Sequence, residues 1–497
     1  MAVIIKNNKH THKKERNLTV KRKIISLLLA IALLALPLLT ATSCDLLGGG
    51  NKNDDGLKEG QVKVVFYHTM GEALRTVLDK YIVEFNKLYP DIIIEHKQVG
   101  SYDDVREQIK TEITVGDQPN LAYCYPDHVA AYNIAYAVKP LDELISSTKV
   151  ITRADGTTET LGLTQAQIDD FIDAFYAEGA VYGDGKMYTL PMSKSTEVLY
   201  YNKTFFEANG LVPPTTWDEM EVLCEKLLKL DPDCIPFGYD SEGNFFITMC
   251  EQLGTPYTSA TGDLFLFDNA ENRAFVEKFR DWYEKGYFET GELSGVNYTS
   301  GLFTKAPAEE GNCYMCIGSS GGANHQKPKN DDGTYKFEVG ITSIPQVDPS
   351  NPKVISQGPS LCIFDKADPA EVEATWLFAK FLTTNVDFQA EFSMTSGYMP
   401  VLESVKNHPV YAAELEAANG YEGLTLLTAK VALEQANAYY TSPAFNGSST
   451  ARDQVGLLMQ QALPLNDENT KSGSIEQDIQ DLFAEAIYKC KYDAGLQ

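Results

Sequence analysis

Residues 62–125 alternate between strand-like and helix-like hydrophobic patterns, and this alternation restricts the fold more than any other feature of the sequence. The run VKVVFYHTM at 62–70 is rich in valine and aromatic residues, as β-strands are. Apolar residues then recur every three or four positions as far as Leu88, which predicts an amphipathic helix. The alternation continues with a second strand at 92–96, a second helix around 105–113 and a third strand at 121–125. This order is typical of a parallel sheet with crossover helices, so we predict an α/β fold.

The residues that follow each predicted strand are candidates for ligand contact. In open α/β sheets the ligand crevice lies beyond the carboxyl ends of the strands. His68, Met70 and Gly71 follow the first strand, and Asp127 and His128 follow the third. The alternative for Asp127 is an N-cap of the next helix, and the alternative for His68 is a structural hydrogen bond.

The rest of the chain continues the alternation and predicts further helices. The polar stretch 146–159 is predicted to be a surface insertion. Thr216 followed by Glu219 has the spacing of a capping box, which predicts a helix that begins after Thr216. The further helices are predicted at 165–178, 269–286, 369–384, 426–439, 451–463 and 474–488.

Residues 1–43 have the three parts of a secretory signal peptide. A basic stretch precedes a 16-residue apolar run at 24–39, which is shorter than the ~20 residues that a membrane-spanning helix needs, and small residues follow it. Cys44 comes directly after those small residues, so we expect a bacterial lipoprotein whose Cys44 thiol receives the lipid. Ala41 stands where such signals usually have leucine, and the alternative is an ordinary signal peptide followed by an incidental cysteine.

The composition after Cys44 predicts a flexible tether followed by an acidic folded region. The segment 44–60 is rich in Gly, Asn, Asp and Lys, which is typical of a flexible tether. It leaves about 437 residues, a length that usually divides into two or more domains. Without residues 1–43, which hold eight basic residues and one acidic residue, the formal net charge is −34. Because such a charge repels nucleic acid, a nucleic-acid partner is excluded.

The cysteines beyond Cys44 are scattered and do not have the dense spacing of a disulfide scaffold. Cys313 and Cys316 form a C-x-x-C pair, but no second pair or histidine cluster accompanies them, so no metal site is predicted. We interpret all of these cysteines as small buried apolar residues. They are Cys124, Cys224, Cys234, Cys250, Cys313, Cys316, Cys362 and Cys490.

An ordered set of stretches resembles the family 1 extracellular solute-binding proteins, the carbohydrate-capturing components of ATP-driven bacterial importers. The most specific part is central and reads YTLP, then VLYYNKTFFEANGL, then VPPTTWDEM, over 188–220. FNKLYPDIIIE, PNLAYCYPDHVAAY and VKPLDELI match before it, and EEGNCYMCIGSSGG, FEVGITSIPQ and TSGYMPV match after it. The resemblance covers nearly all of 61–460, and the ordered set is far more specific than any single stretch.

The resemblance implies a two-lobe fold like that of type II periplasmic binding proteins, with hinged lobes and a central ligand cleft. Lobe one would comprise 61–191 plus 319–394, and lobe two 192–318 plus 395–497. Chain crossings would fall near 191–195, 317–320 and 395–397. It also implies a monomeric receptor without catalysis, cofactor or metal. The receptor would be lipid-anchored to the cell membrane on the extracellular or periplasmic side and would deliver a sugar to ABC permease subunits and, through them, to an ATPase.

The resemblance also assigns ligand contacts. Asp127 falls where a carboxylate receives sugar hydroxyls, and Ser195 and Thr196 lie at the first crossing. Asn244 and Phe245 lie in a part of lobe two that often offers an aromatic platform, although core packing is the alternative. The full predicted set is His68, Met70, Gly71, Asp127, Ser195, Thr196, Asn244, Phe245, Ser319, Ser320, Gly321, Tyr398 and Arg452.

Two departures from the family pattern leave the ligand open. Members that bind linear glucose polymers carry a tryptophan after the second crossing and another in the last cleft segment. This chain has GSSGG at 318–322 and YYTSPAFNGSSTARDQ at 439–454 instead. Consecutive small residues can turn backbone N–H groups inward, which suits an anion, so glycerol 3-phosphate or a related phosphorylated solute is the alternative ligand. A plain hinge loop is the structural alternative for the Ser-Gly run.

Two further hypotheses belong to other classes. A secreted glycoside hydrolase would need two carboxylates ~5–9.5 Å apart across a cleft, and the resemblance argues against it. A structural surface lipoprotein would keep the fold without binding any solute.

Overall fold

Two five-stranded sheets form the framework of the chain in the computed structural model, which describes residues 57–296, 298–305 and 312–496. The strands are β1 (Val62–His68), β2 (Ile92–Gln98), β3 (Leu121–Cys124), β4 (Val150–Thr152), β5 (Thr158–Thr160), β6 (Thr189–Pro191), β7 (Glu197–Asn202), β8 (Ile235–Tyr239), β9 (Phe288–Thr290), β10 (Cys313–Ser319), β11 (Val339–Thr342), β12 (Val354–Ile355), β13 (Ser360–Ile363) and β14 (Tyr439–Tyr440). The α-helices are Glu72–Leu88, Tyr102–Ile113, Pro126–Asn133, Asp142–Ile145, Gln165–Asp170, Asp173–Ala177, Lys203–Asn209, Trp217–Leu230, Glu242–Leu253, Ala270–Glu284, Ser300–Lys305, Pro369–Thr384, Val386–Ser396, Pro409–Ala417, Leu424–Glu434, Ser448–Ala462 and Ile475–Asp493. The predicted signal peptide, Cys44 and the tether as far as residue 56 lie outside the described residues.

The first sheet confirms the parallel arrangement predicted from residues 62–125. Its order is β2-β1-β3-β13-β6, and β1 pairs in parallel with both β2 and β3. The helices Glu72–Leu88 and Tyr102–Ile113 connect these parallel strands, as crossover helices do. The other two strands come from later in the chain, and β13 runs antiparallel to both β3 and β6.

The second sheet has the order β11-β7-β10-β8-β9. β7 lies antiparallel between β10 and β11, whereas β8 is parallel to β10 and to β9. The placement of all of 319–394 in lobe one is therefore wrong for β11. The chain turns back after β10 and lays β11 along the free edge of β7, so it returns to the first sheet only at β13. We call 58–191 with 360–396 lobe one, and 197–342 with 448–496 lobe two.

Two extended segments cross between the sheets side by side. Residues 192–196 lead from β6 to β7, and residues 356–359 lead back from β12 to β13. Ser195 pairs with Gln357 between these segments, and Lys194 pairs with Met399 of a third segment. The crossing predicted at 317–320 is wrong, because this stretch ends β10 and enters a 3-10 turn beside β7 instead of leaving the second sheet.

Hydrophobic clusters cover both sheets, and one of them extends from the first sheet onto the second through Val198, Tyr200 and Cys316. Trp376 and Phe378 are fully buried against the first sheet, and Phe245 and Trp282 are buried against the second. The eight cysteines within the described ranges are all buried and free of disulfide bonds, which confirms the interpretation of these residues as apolar core members. In the same ranges, no helix has both the length and the apolar composition that a bilayer span requires.

Two local predictions are partly correct. The polar insertion forms a small hairpin, in which β4 pairs with β5 and most residues of the strands are exposed or half-buried. The helix Trp217–Leu230 begins as predicted, because Thr216 Oγ1 accepts a hydrogen bond from Glu219 N at 3.1 Å. The carboxylate of Glu219 does not close a capping box on Thr216, since it accepts from both the N and the Oγ1 of Thr215, at 2.8 and 2.7 Å.

Candidate ligand-binding cleft

A cleft with a cavity volume of about 40 Å³ lies where the crossing segments meet, and the space widens to about 540 Å³ when the open solvent at its mouth is included. Lobe one contributes Tyr125, Pro126, Asp127 and Glu178, and lobe two contributes Tyr257, Thr258, Ser448 and Arg452. The second crossing and the chain after β14 contribute Ile355, Ser356, Gln357, Thr441, Ser442 and Pro443. Because both lobes and the crossing segments supply the walls, a solute in this cleft would contact all three parts.

Asp127 presents a buried negative charge to the cleft. It lies in the first turn of the helix Pro126–Asn133, where the helix dipole favours a carboxylate. Its Oδ1 accepts a hydrogen bond from its neighbour, His128 N, at 3.2 Å, and its Oδ2 lies 3.5 Å from Nε of Arg452 in lobe two. Burial acts to raise the pKa of Asp127, but the positive groups around it, His128 first and then Arg452, outweigh burial and lower the pKa. Asp127 is therefore ionised at neutral pH.

Arg452 connects Asp127 to a buried hydrogen-bond chain in lobe two. Its Nη1 donates to Asn244 Oδ1 at 2.6 Å, and Asn244 Nδ2 donates to Glu197 Oε1 at 3.3 Å. The other oxygen of Glu197 accepts from Tyr239 OH at 2.6 Å. Burial raises the pKa of Glu197 to about 7, against the opposing effect of the Tyr239 and Asn244 hydrogen bonds. This chain fixes the guanidinium so that it faces lobe one.

Glu178 lines the cleft and connects the crossing segments. Its carboxylate is 2 % exposed and pairs with the fully buried Lys194 of the first crossing. It also accepts from Ser356 Oγ of the second crossing at 3.3 Å and from Thr441 Oγ1 at 3.1 Å. Lys194 Nζ donates in addition to Gly358 O at 3.2 Å. A single buried ion pair therefore joins lobe one to both crossings and to the segment after β14.

Several buried polar atoms in the cleft wall lack a partner within the described part of the chain. One of them belongs to lobe one, two belong to lobe two and one lies in the segment after β14, and all four residues line the same space. They are Asp127 Oδ2, Tyr257 OH, Thr258 Oγ1 and Ser442 Oγ. Leaving a buried polar group unpaired costs about 1–3 kcal/mol, so folded proteins pair nearly all of them. Because these four atoms line one cleft, a molecule bound there, water included, can complete their hydrogen bonds.

The formal charges of the cleft nearly cancel. The carboxylate of Glu178 is matched by Lys194, and that of Asp127 by Arg452. Across the described ranges, His, Cys, Asp and Glu side chains form no group of three or more that could hold a metal ion. The charged side chains of the cleft are therefore matched in pairs, and its other polar lining groups are available for hydrogen bonds to a solute.

A family model described as bacterial extracellular solute-binding protein matches residues 80–419. This chain belongs to that family. One relative of the solute-binding protein is the maltotriose-binding protein of Pyrococcus abyssi, 22% identical over 354 residues, which are 70% of this chain and 69% of the relative. Another is the sn-glycerol-3-phosphate-binding periplasmic protein UgpB of Salmonella typhimurium, 24% identical over 374 residues, which are 72% of this chain and 77% of the relative.

Solved structures share the two-lobe periplasmic-binding-protein fold. The cyclic alpha-maltosyl-1,6-maltose binding protein from Arthrobacter globiformis superposes with a TM-score of 0.63 at 20% identity, covering 87% of this chain and 99% of that one. UgpB from Mycobacterium tuberculosis, in complex with glycerophosphocholine, superposes with a TM-score of 0.66 at 17% identity, covering 86% and 99%. Solute-binding proteins of this family serve ABC importers, binding small-molecule solutes and delivering them to permease subunits.

The residues predicted after the first strand do not line the cleft cavity of this solute-binding protein. His68 is fully buried and shares a 2.8 Å hydrogen bond between its Nε2 and Nδ1 of His96, whose Nε2 lies 2.8 Å from Asp79 Oδ1. Burial, reinforced by His96, lowers the pKa of His68 to about 3. Met70 is buried in the core, and Gly71 is an exposed N-cap residue. A ligand contact by any of them stays a prediction.

The predicted residues at the crossings occupy buried structural positions. Thr196 Oγ1 donates to Ile355 O at 2.7 Å, and Ser320 Oγ accepts from Thr196 N at 3.2 Å. Ser195 pairs with Gln357, which itself lines the cleft. The segment 318–322 also fits the letters G-x-S-x-G of hydrolase nucleophiles, but Ser320 is fully buried, and no His, Asp or Glu side chain of the described residues hydrogen-bonds its Oγ.

The remaining predicted residues divide between the core and the cleft. Phe245 is fully buried and stacks on Tyr239 with ring centroids 4.3 Å apart, which is core packing. Gly321 lies against the ring of Tyr398, where an added Cβ would come within 2.7 Å of Cζ. Asp127 and Arg452, by contrast, face each other across the cleft. Asn244 reaches the cleft only through Arg452.

Sequence reasoning missed most of the cleft wall. Glu178 stood at the end of a predicted helix, and Ser356, Thr441 and Ser442 lay in segments without any recognisable motif. These side chains meet only because the two crossings and the chain after β14 lie next to one another. The one sequence feature that could have indicated these cleft residues is the short stretch TSP at 441–443, which separates β14 from a helix.

Proposed function

We propose that this protein captures a neutral sugar or oligosaccharide in the cleft and delivers it to the permease of an ABC importer. The observation that carries the proposal is the set of four cleft-wall atoms that lack a hydrogen-bond partner within the described residues, three hydroxyls and the Asp127 Oδ2, whose contact with Arg452 Nε at 3.5 Å is an ion pair without a hydrogen bond. A carboxylate can only accept hydrogen bonds, whereas a hydroxyl can donate and accept. Adjacent sugar hydroxyls offer both functions, so a polyol carries the donors and acceptors that these four atoms need.

The charge balance supports a neutral solute over a phosphorylated one. Arg452 is the guanidinium available to a phosphate among the described lining residues, but it already pairs with Asp127 and donates to Asn244. A phosphate would have to displace Asp127 and would then lie beside that carboxylate, which repels it. The second candidate ligand is a glycerol phosphate, because the UgpB relatives are named as sn-glycerol-3-phosphate-binding proteins. In this chain such a ligand would bind its phosphate through Arg452.

The proposed capture works by hinge closure. Asp127 and Glu178 belong to lobe one, whereas Tyr257 and Arg452 belong to lobe two. A solute that contacts both walls favours the closed state, because it makes those contacts only when the lobes meet. Permease docking would then follow closure, and the protein itself would need no catalytic residue.

The proposal places the protein outside the cell membrane as a lipoprotein. Its support is the sequence of residues 1–44, with a basic flank, an apolar run and Cys44 after small residues. A Cys44→Ser variant expressed in a bacterial host should move from the membrane fraction to the soluble fraction. If the wild type fractionates as soluble and has no lipid mass at Cys44, this part of the proposal is wrong.

Thermal shift with matched solutes tests the ligand class. The lipid-free protein starting after Cys44 would be screened against mono- and oligosaccharides and against glycerol 3-phosphate and other phosphate esters. A saccharide at a hundredfold excess over its Kd should stabilise the protein by about 2.7 kcal/mol. Stabilisation by phosphate esters alone would select the second candidate, and stabilisation by neither class would refute solute capture from these classes.

A further inference from the structure

We infer that Arg106 is a positioning residue that holds the lobes shut through contacts outside the ligand cleft. It lies on the lobe-one helix Tyr102–Ile113, and its side chain is only 12 % exposed. Its Nη1 donates to Ser449 Oγ, and its Nη2 lies 3.4 Å from Asp453 Oδ2. Both partners belong to the lobe-two helix Ser448–Ala462. The inference rests on the proposed capture by closure.

The same helix carries Arg452, so the two arginines cross the gap in opposite directions. Arg106 reaches from lobe one to Asp453, and Arg452 reaches from lobe two to Asp127. Ser449, Arg452 and Asp453 lie within about one helical turn and therefore share a face. Arg452 and Asp127 line the cleft, whereas Arg106 and Asp453 are not among its lining residues. A solute in the cleft can therefore contact the pair of Arg452 and Asp127, whereas Arg106 and Asp453 bind only to other protein groups.

The two sets of contacts around Arg106 have different consequences for closure. Asp103 Oδ1 at 3.2 Å and Glu107 Oε1 at 3.0 Å are on the same helix as Arg106. These intrahelical contacts persist whether the lobes are open or closed, so they cannot favour either state. The contacts with Ser449 and Asp453, by contrast, join the two lobes, so a hinge opening that separates the two helices breaks them, and only such differential contacts shift the equilibrium. Arg106 therefore favours closure even when no solute is bound.

This role predicts a specific pattern of affinities. If only a fraction of the protein is closed, the apparent Kd of every solute is raised by the inverse of that fraction. Arg106→Gln lowers the closed fraction and should weaken all solutes by the same factor, about 3- to 10-fold for a partly buried ion pair with an added hydroxyl contact. Arg452→Gln should instead change the ratios between solutes, because Arg452 lines the cleft.

The test combines scattering without solute and titration with several solutes. The lipid-free wild type, Arg106→Gln and the double variant Arg106→Asp with Asp453→Arg would be compared, with Arg273→Gln as control. Arg273 pairs with Asp268 at 2.7 Å within lobe two, so its loss should not alter closure. Arg106→Gln should raise the radius of gyration of the solute-free protein, and the exchanged pair should restore it. High salt should narrow the difference, because it screens the exposed Asp453.

Each outcome bears on the inference. An unchanged radius of gyration for Arg106→Gln at low salt would overturn it, and so would a change in the ratios of solute affinities, which would make Arg106 a ligand contact. The scattering measurement needs no solute. If no solute binds any variant but the radius still responds as described, the proposed function fails while the closing role of Arg106 stands.

Discussion

Replacing Lys194 by methionine removes the cation from the hinge and leaves Glu178 buried without its counter-ion. Lys194 is fully buried and Glu178 is 2 % exposed, so water cannot replace the lost charge. Breaking such a buried pair from one side costs about 3–5 kcal/mol. The hydroxyls of Ser356 and Thr441 still donate to the carboxylate, at 3.3 and 3.1 Å. We therefore expect the lower end of this range, a loss of about 3 kcal/mol in the free energy of unfolding.

Urea unfolding followed by circular dichroism measures this loss, and the chain offers a matched control. Lys149 Nζ lies 2.6 Å from Glu373 Oε2, but the two side chains are 55% and 34% exposed. Lys149→Met should therefore cost no more than about 1 kcal/mol. The double variant Lys194→Met with Glu178→Gln should recover part of the loss, because no charge is then left buried. Equal losses at the two lysines would refute the assignment of the Glu178 pair to the hinge interior.

Three further predictions concern single groups. Asp127→Asn should weaken saccharide binding about 10- to 100-fold in calorimetry, since a hydrogen bond to a charged acceptor is worth about 1.5–3 kcal/mol, whereas Asp348→Asn on an exposed loop should not. Because the pKa of Glu197 is raised from 4.5 to about 7, this group favours folding at low pH, and its contribution of up to about 3 kcal/mol is lost as the pH rises from 4.5 through 7. The free energy of unfolding of Glu197→Gln should therefore differ less between pH 5 and pH 8 than that of the wild type. The lowered pKa of His68 has the opposite effect on stability below pH 6.5, so variant and wild type are compared at each pH. Identical pH dependences of the two proteins would contradict the raised pKa of Glu197. A thiol reagent should label Cys124, Cys250 and Cys362 only after denaturation, and rapid labelling of the native protein would contradict their burial.

The sequence predicted the elements of the first sheet well because hydrophobic period decides them locally. Val64 and Phe66 alternate inward along β1, and the apolar residues of Glu72–Leu88 repeat at helical spacing. β11 was assigned to the wrong lobe because pairing with β7 depends on where the chain turns after β10. The position of that turn depends on packing between segments that are far apart in the sequence, so the local hydrophobic pattern does not predict it.

From the hydrophobic pattern alone the candidate site was predictable only where it follows a strand, and the family resemblance added Arg452. Asp127 was found because it comes directly after β3, at the carboxyl end of the sheet. His68 is the last residue of β1, where the register pairs it with Gln98, but its ring turns back along the sheet onto His96 of β2, and the two rings stack with centroids 5.1 Å apart. Glu178 was missed because its partners Lys194, Ser356 and Thr441 come from three separate segments.

The central claim is that the cleft holds a neutral hydroxylated solute whose hydroxyls reach Asp127. Native mass spectrometry of the lipid-free protein, after incubation with an extract of small molecules and removal of the excess, tests this claim directly. We predict one added mass per chain, which is released on denaturation as a neutral saccharide and is absent when Asp127→Asn is treated in the same way. A phosphorylated solute that both proteins retain equally would contradict it.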